Sequence, residues 1–274
     1  MGHVRRTILK AVGAWPVVAG WADRAGAAAK PEVRPRHVLC FLGGAHELAR
    51  LSEAAHEAIA DFAYQFSVDT TYSLDRPDPH MSRSFGVCWD RVARHAWTEA
   101  DEEAVVHHGS VLYVLGPPVT AETAVTVSTA ALMVTDRLIA AGAVAVKGES
   151  AGVAHGLDRW RELFSELVGA AKAGDDAARS RVCRLAFAKR PLESENYVES
   201  VGYHLVGLPE VYVAKTLGTD LEKAAMMDAV ADDMTQRGVE AVLHDRKATL
   251  SHASTYEEDD FKFNPFGIVH IGQL

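Results

Sequence analysis

The chain has 274 residues, of which 48% are hydrophobic and 24% are charged, and these proportions are ordinary for a folded soluble protein. The length suffices for one large domain or for two small, closely packed ones. A formal net charge of -9 argues against a broad nucleic-acid-binding surface, which needs clustered Lys and Arg. Three cysteines, each in an apolar run, exclude a disulfide framework as the source of stability.

Residues 1–30 have the composition of an export signal. The pair Arg5-Arg6 precedes a moderately apolar run from Ala11 to Ala22, and small residues follow up to Ala29. This order resembles a twin-arginine signal peptide, so we expect cleavage after Ala29 and an exported, periplasmic protein. The apolar run is too short to span a bilayer stably, which takes about twenty residues. The alternative is an ordinary first helix of a cytoplasmic protein, although Pro16 weakens a continuous helix.

The chain from residue 36 to residue 173 alternates predicted strands and helices. Apolar residues at helical spacing follow Leu48, a Thr98-Glu-Ala-Asp101 capping box opens a short acidic helix, and Gly142 ends a long one. The predicted strands cover residues 36–42, 68–74, 84–89, 110–115 and 144–147. The predicted helices cover residues 48–66, 98–107, 120–141 and 157–173.

A polar stretch with Gly and Asp, residues 172–180, predicts a boundary between a first subdomain (36–173) and a second one (181–274). In the second subdomain a helix is predicted over residues 220–238. Its predicted strands cover residues 182–189, 197–206, 211–216, 240–244 and 268–271. Single helices among short strands in hairpin-like succession predict an α+β protein with mainly antiparallel sheets and packed helices. We expect two similar, intimately packed α/β subdomains.

Several motifs occur in the order that one known family shows. They are Trp97-Thr-Glu-Ala100, the strand 110–115 with the helix 120–141, Gly142-Ala-Val-Ala-Val146, Ala154-His155-Gly156, and Gly202-Tyr-His-Leu-Val-Gly-Leu-Pro-Glu-Val211 before the helix 220–238. Taken together, residues 36–274 resemble the domain-of-unknown-function 4261 family, although Lys147-Gly148 replaces an aromatic pair of such relatives. The resemblance implies no established reaction. Because members are often found beside bacterial toxin genes, it implies an immunity or toxin-neutralising role.

The segment Gly148-Glu-Ser-Ala-Gly152 supports a competing interpretation, since it matches the G-x-S-x-G nucleophile elbow of serine hydrolases. In a serine esterase of this type, Ser150 is the nucleophile, His252 takes its proton, and Asp232 orients the imidazole. Asp228 and Asp233 are alternative acids. Against this interpretation, no H-G-G-G-type oxyanion loop is present, and the predicted strands are short and hairpin-linked rather than parallel. The hydrolase is therefore the alternative function.

An acidic stretch near the C-terminus completes the set of candidate residues. It lacks the ligand spacing of a calcium site, and no Cys or Cys/His spacing of a zinc site occurs, so we predict no cofactor and no metal ion. We expect a non-enzymatic, immunity-like or accessory module that binds a basic protein such as a toxin, without nucleic acid. The negative charge suits a basic partner and speeds encounter at low salt. The contact is predicted through a sheet face or through Glu257, Glu258, Asp259, Asp260 and Phe261.

Overall fold

The computed structural model describes residues 35–93, 96–252 and 263–272, so the predicted signal peptide, residues 1–30, lies outside the described residues. The described strands are β1 (Arg36–Gly43), β2 (Ser67–Leu74), β3 (Ser110–Pro118), β4 (Ala145–Gly148), β5 (Val153–His155), β6 (Lys189–Glu193), β7 (Tyr197–Val201), β8 (Glu210–Ala214), β9 (Thr249–Ser251) and β10 (Ile268–Ile271). The described α-helices are α1 (Leu48–Asp61), α2 (Met81–Gly86), α3 (Glu99–Val106), α4 (Ala124–Ala140), α5 (Leu157–Ala173), α6 (Asp176–Phe187), α7 (Asp220–Arg237) and α8 (Val239–Arg246). One short 3₁₀ helix covers Tyr203–Val206.

The first sheet has the strand order β2-β3-β1-β4-β5, and every neighbouring pair is antiparallel. Its central strand β1 is apolar on both sides because both sides are covered. Leu39 and Phe41 belong to the main core with residues of α1 and α4, whereas Cys40 lies on the other side. There it packs in a second, smaller core with Phe85 of α2 and Val105 of α3. Because both sides of β1 are buried, its sequence is a nearly continuous apolar run rather than an alternation of apolar and polar residues.

The second sheet has the order β6-β7-β8-β10-β9, with antiparallel neighbours except for the parallel pair β8 and β10. Val211, Val213 and Val269 point inward and join the same main core as Leu39 and Phe41 of the first sheet. The two sheets therefore share one core, and α7 packs on the inner side of the second sheet. The predicted α+β class with mainly antiparallel sheets is confirmed.

The predicted boundary at residues 172–180 falls on a tight turn between two packed helices. Gly174 ends α5 in the left-handed conformation, with φ at 66°, which glycine adopts without steric cost. Asp175 then caps α6, because its side chain accepts a hydrogen bond from the Ala178 N–H at 2.9 Å. Helix α6 packs on α4, α5 and α7, so it connects the elements of both predicted subdomains.

Three predicted strands are wholly or partly helical, and as strands these predictions are wrong. Residues 182–189 fall mostly within α6, residues 84–89 overlap α2, and residues 240–244 lie in α8. Each prediction rested on a short apolar run, and periodicity cannot separate a buried strand from a short buried helix in so few residues. In α6 the buried positions Val182, Cys183, Ala186 and Phe187 follow helical spacing.

Candidate functional site

The outer side of the second sheet carries a cluster of aromatic rings. Because side chains alternate along a strand, and the valines of β8 and β10 point into the core, Tyr197, Tyr212 and His270 project from the opposite side. The ring centroids of Tyr197 and Tyr212 lie 5.2 Å and 5.6 Å from that of His270, and 6.2 Å from each other. We call these three residues, together with Ser251 of β9, the aromatic face.

The strand register explains why the rings meet. In the parallel pair of β8 and β10, Tyr212 stands opposite His270, and in the antiparallel pair of β7 and β8 it stands opposite Glu199. Directly opposed side chains on one side of a sheet come within contact distance. The side chains of Glu199, Tyr212 and His270 therefore form one row across three strands. Tyr197 lies beside this row, and Tyr197, Tyr212 and His270 are half-buried.

Ser251 and His270 form a hydrogen bond at the edge of this cluster. The distance from Ser251 Oγ to His270 Nε2 is 2.8 Å. His270 Nδ1 is buried and has no hydrogen-bond partner among the described residues. Burial lowers the pKa of His270 below its usual value of 6.5, although the charge of Glu199 opposes this shift. This shift favours the neutral imidazole, the form that can accept a proton.

Ser150, the nucleophile of the alternative prediction, lies in a strand–turn–strand unit. Strands β4 and β5 pair antiparallel on either side of it, whereas a nucleophile elbow needs a helix directly after the turn. The Ser150 hydroxyl donates to the Arg36 carbonyl at 2.6 Å and accepts from the Val38 N–H at 2.9 Å. These bonds satisfy the backbone where β1 departs from regular pairing. A serine has one hydroxyl proton, and here a carbonyl holds it.

The other two residues of that prediction have separate surroundings. Asp232 lies on α7 and accepts a hydrogen bond from Arg184 Nη2 at 2.9 Å. It lines a depression of about 170 Å³ between α6 and α7, together with Arg181 and Gln236. His252 is exposed and follows β9 of the second sheet. The contacts of Ser150 and Asp232 therefore do not join them with His252 in one catalytic group.

Asp228, an alternative acid of that prediction, is the centre of an ion network instead. Arg190 contacts its carboxylate twice, through Nε and Nη2, at 2.8 Å each. The Tyr203 hydroxyl donates to it at 3.3 Å, and Arg184 Nε lies 3.6 Å away. Both arginine side chains are almost completely buried. This network connects α6, β6 and the 3₁₀ helix to α7, which is a structural role.

Glu149 of the G-x-S-x-G segment forms a closed cluster with Lys147, which precedes the segment. Lys147 Nζ lies 2.7 Å from Glu149 Oε1, and the two side chains are 0% and 7% exposed. Ser84 Oγ accepts a further hydrogen bond from Lys147, whose ammonium group lies 4.9 Å from the centre of the Phe85 ring. Burial by itself lowers the pKa of Lys147, but the charge and hydrogen bond of Glu149 together with Cys40 and Cys88 outweigh burial, and the net shift is upward. Lys147 is therefore a charged, structural residue.

The described parts of the chain contain no group of three or more His, Cys, Asp or Glu residues arranged to hold a metal ion. In the same parts, no helix has both the length and the apolar character that crossing a bilayer requires. The acidic stretch with Glu257, Glu258, Asp259, Asp260 and Phe261 lies outside the described residues. Comparison with protein-family models, with curated proteins and with solved structures gives no match for this chain.

The aromatic face is the functional candidate that sequence reasoning missed. Its signal is present in the strands as alternation, since Tyr212 stands between Val211 and Val213, and His270 between Val269 and Ile271. Such alternation indicates one side facing the core and one side facing outward. The sequence alone does not show that the outward positions of three strands form one cluster.

Proposed function

We propose that the protein is a binding module that holds a basic partner protein on the aromatic face. The ring cluster of Tyr197, Tyr212 and His270 carries this proposal. Tyrosine is enriched at the centres of protein interfaces because it buries a large area at a small cost in conformational entropy. The hydroxyl groups and the imidazole offer hydrogen bonds, and the net charge of -9 favours a basic partner.

The acidic stretch belongs to the same proposal because of its place in the chain. Glu257, Glu258, Asp259, Asp260 and Phe261 stand between β9 and β10, the strands that carry Ser251 and His270. Four carboxylates there would attract a basic partner towards the aromatic face and raise the association rate. The resemblance to the domain-of-unknown-function 4261 family favours a toxin as this partner, and the predicted export signal favours a periplasmic encounter. Both parts of the proposal rest on the sequence.

The test compares binding by wild type, by the double variant Tyr197→Ser/Tyr212→Ser, and by Tyr64→Ser as a matched control. Tyr64 is 80% exposed beyond the end of α1, so its loss removes an accessible tyrosine elsewhere on the surface. Proteins enriched by wild type from the native host are quantified against both variants. The partner that distinguishes them is then purified and titrated by calorimetry, after circular dichroism has shown that the variants are folded.

We expect the double variant to bind the purified partner at least about 30-fold more weakly, because a central interface tyrosine contributes about 2 kcal/mol or more. Tyr64→Ser should bind like wild type. Replacing the four carboxylates by amides should slow association mainly at low ionic strength, since salt screens such attraction. Equal affinity of the double variant and wild type, or an acidic partner, would contradict the proposal.

A further inference from the structure

We propose that Ser251 is an activated nucleophile that accepts an acyl group from aryl esters, with His270 as its general base. The Ser251 Oγ to His270 Nε2 distance of 2.8 Å allows direct proton transfer, which needs about 2.6–3.2 Å. Ser251 is exposed, so a substrate can reach its oxygen. This inference concerns chemistry on the aromatic face and does not depend on the protein-binding function.

The two residues are held by paired strands rather than by a loop. In the antiparallel pair of β9 and β10, Ser251 stands opposite Ile268, two residues before His270. Ser251 and His270 are therefore diagonal neighbours on one side of the sheet, and the ladder of hydrogen bonds fixes their separation. A nucleophile and a base on neighbouring strands are more rigidly placed than a pair on a loop.

The surroundings of His270 suit a base. The proposed role requires the tautomer in which Nδ1 carries the ring proton, so that Nε2 accepts a hydrogen bond from the Ser251 hydroxyl. Nδ1 itself is buried and has no hydrogen-bond partner among the described residues. The titratable groups described around the ring are Glu199, Tyr197 and Tyr212. The charge of Glu199 favours the protonated form of His270, so it stabilises the imidazolium that forms when the proton arrives. The tyrosine rings offer an aromatic wall, and this feature favours aryl esters.

The proposed step balances as an ordinary acyl transfer. Ser251 Oγ attacks the ester carbonyl carbon while its proton moves to His270 Nε2. The tetrahedral intermediate collapses, the bond from carbon to the aryl oxygen breaks, and the phenol leaves with the proton from Nε2. Water then attacks the acyl-serine in the same way, which gives a carboxylic acid and restores the Ser251 hydroxyl.

The other serines within residues 35–93, 96–252 and 263–272 lack this combination of features. Ser128 Oγ lies 2.8 Å from His37 Nε2, but both residues are buried and the serine donates its proton to the Leu205 carbonyl. Ser200 is buried and donates to Glu210. Ser150 donates to the Arg36 carbonyl, so Ser150→Ala is a suitable control.

The experiment uses the full chain with a fluorophosphonate probe and with 4-nitrophenyl acetate. We expect the probe to label Ser251 in wild type and in Ser150→Ala, as peptide mass spectrometry will show, and not in Ser251→Ala. His270→Gln should slow labelling by about 100-fold or more, the usual effect of losing a general base. The labelling rate should rise with pH through a pKa below 6.5 and then level off.

Labelling at another residue, equal labelling of Ser251→Ala and wild type, or no labelling above that of denatured protein would overturn the proposal. Labelling that His270→Gln leaves unchanged would overturn the role of His270, provided that circular dichroism shows a folded variant.

Partner titration with Ser251→Ala keeps the two proposals apart. Absence of Ser251 labelling in a wild-type protein that still binds its partner refutes the nucleophile alone, and labelling of Ser251 in a wild-type protein that binds no partner refutes the binding function alone.

Discussion

Replacing Glu210 by Gln should lower the free energy of unfolding at pH 7, because this carboxylate is 1% exposed and is hydrogen-bonded at both oxygens. Ser200 Oγ donates at 2.6 Å, the Gly202 N–H at 2.9 Å and Asn264 Nδ2 at 3.0 Å, with His204 Nδ1 at 3.2 Å. A hydrogen bond to a charged group is worth about 1 kcal/mol more than a neutral one, so losing the charge at the three shorter contacts costs about 3 kcal/mol. These contacts hold the start of β8 beside the aromatic face.

The loss should also depend on pH. Burial by itself raises the pKa of Glu210, but the hydrogen bond and the charge of His204, with hydrogen bonds from Ser200 and Asn264, together outweigh burial and hold this pKa below its usual value of 4.5. The stabilisation by the charge is therefore fully present above about pH 4.5 and is lost as the pH falls through the folded-state pKa. The difference between wild type and Glu210→Gln should be constant from pH 5.5 to pH 7 and should shrink in stronger acid.

Urea unfolding at several pH values measures this difference, with Glu240→Gln as the control. Glu240 is exposed on α8, so its replacement should change the unfolding free energy by less than about 0.5 kcal/mol. A cost below about 1 kcal/mol for Glu210→Gln at pH 7 would refute the reasoning, since charge-assisted bonds would then contribute little. A cost that persists unchanged in acid would refute it as well.

Two further predictions concern the packing of the fold. Lys147→Met should lower the free energy of unfolding by about 3–5 kcal/mol, because it leaves Glu149 buried without its partner. The double variant Lys147→Met/Glu149→Leu should lose less than this single variant. Urea unfolding of the full double-mutant cycle tests both expectations. Gly202→Ala should lower the melting temperature, because φ is 111° there and the new Cβ would lie 2.7 Å from the Cβ of Ala151. Gly169→Ala, in α5 with no atom within 4 Å of the new Cβ, should raise the melting temperature slightly.

The sequence predicts the parts of the fold whose signals are local and long. Helices α1, α4, α5 and α7 have clear helical spacing, and the capping box at Thr98 is formed as predicted. The strand predicted over residues 182–189 is wrong because its few apolar residues fit both periods. Gly174 is a typical helix-ending residue and Asp175 a typical helix-starting residue. These two residues favour a helix, α6, over a strand in the segment that follows.

The aromatic face is not predictable from local sequence patterns, because it depends on which strands pair in the second sheet. Tyr212 and His270 stand opposite each other only because β8 and β10 pair in parallel across the connection through α7, α8 and β9. No local pattern encodes that pairing. The G-x-S-x-G match covers only five residues, which do not determine whether a helix or a strand comes next. In this chain a strand follows, and Ser150 forms hydrogen bonds with the backbone of β1.

Photocrosslinking tests most directly whether the aromatic face contacts the partner. Benzoylphenylalanine replaces Tyr212 in one variant and Tyr64 in another, and each is irradiated with the purified partner. We expect a covalent adduct from position 212 and none from position 64. A complex that still forms but crosslinks only from position 64 would contradict it.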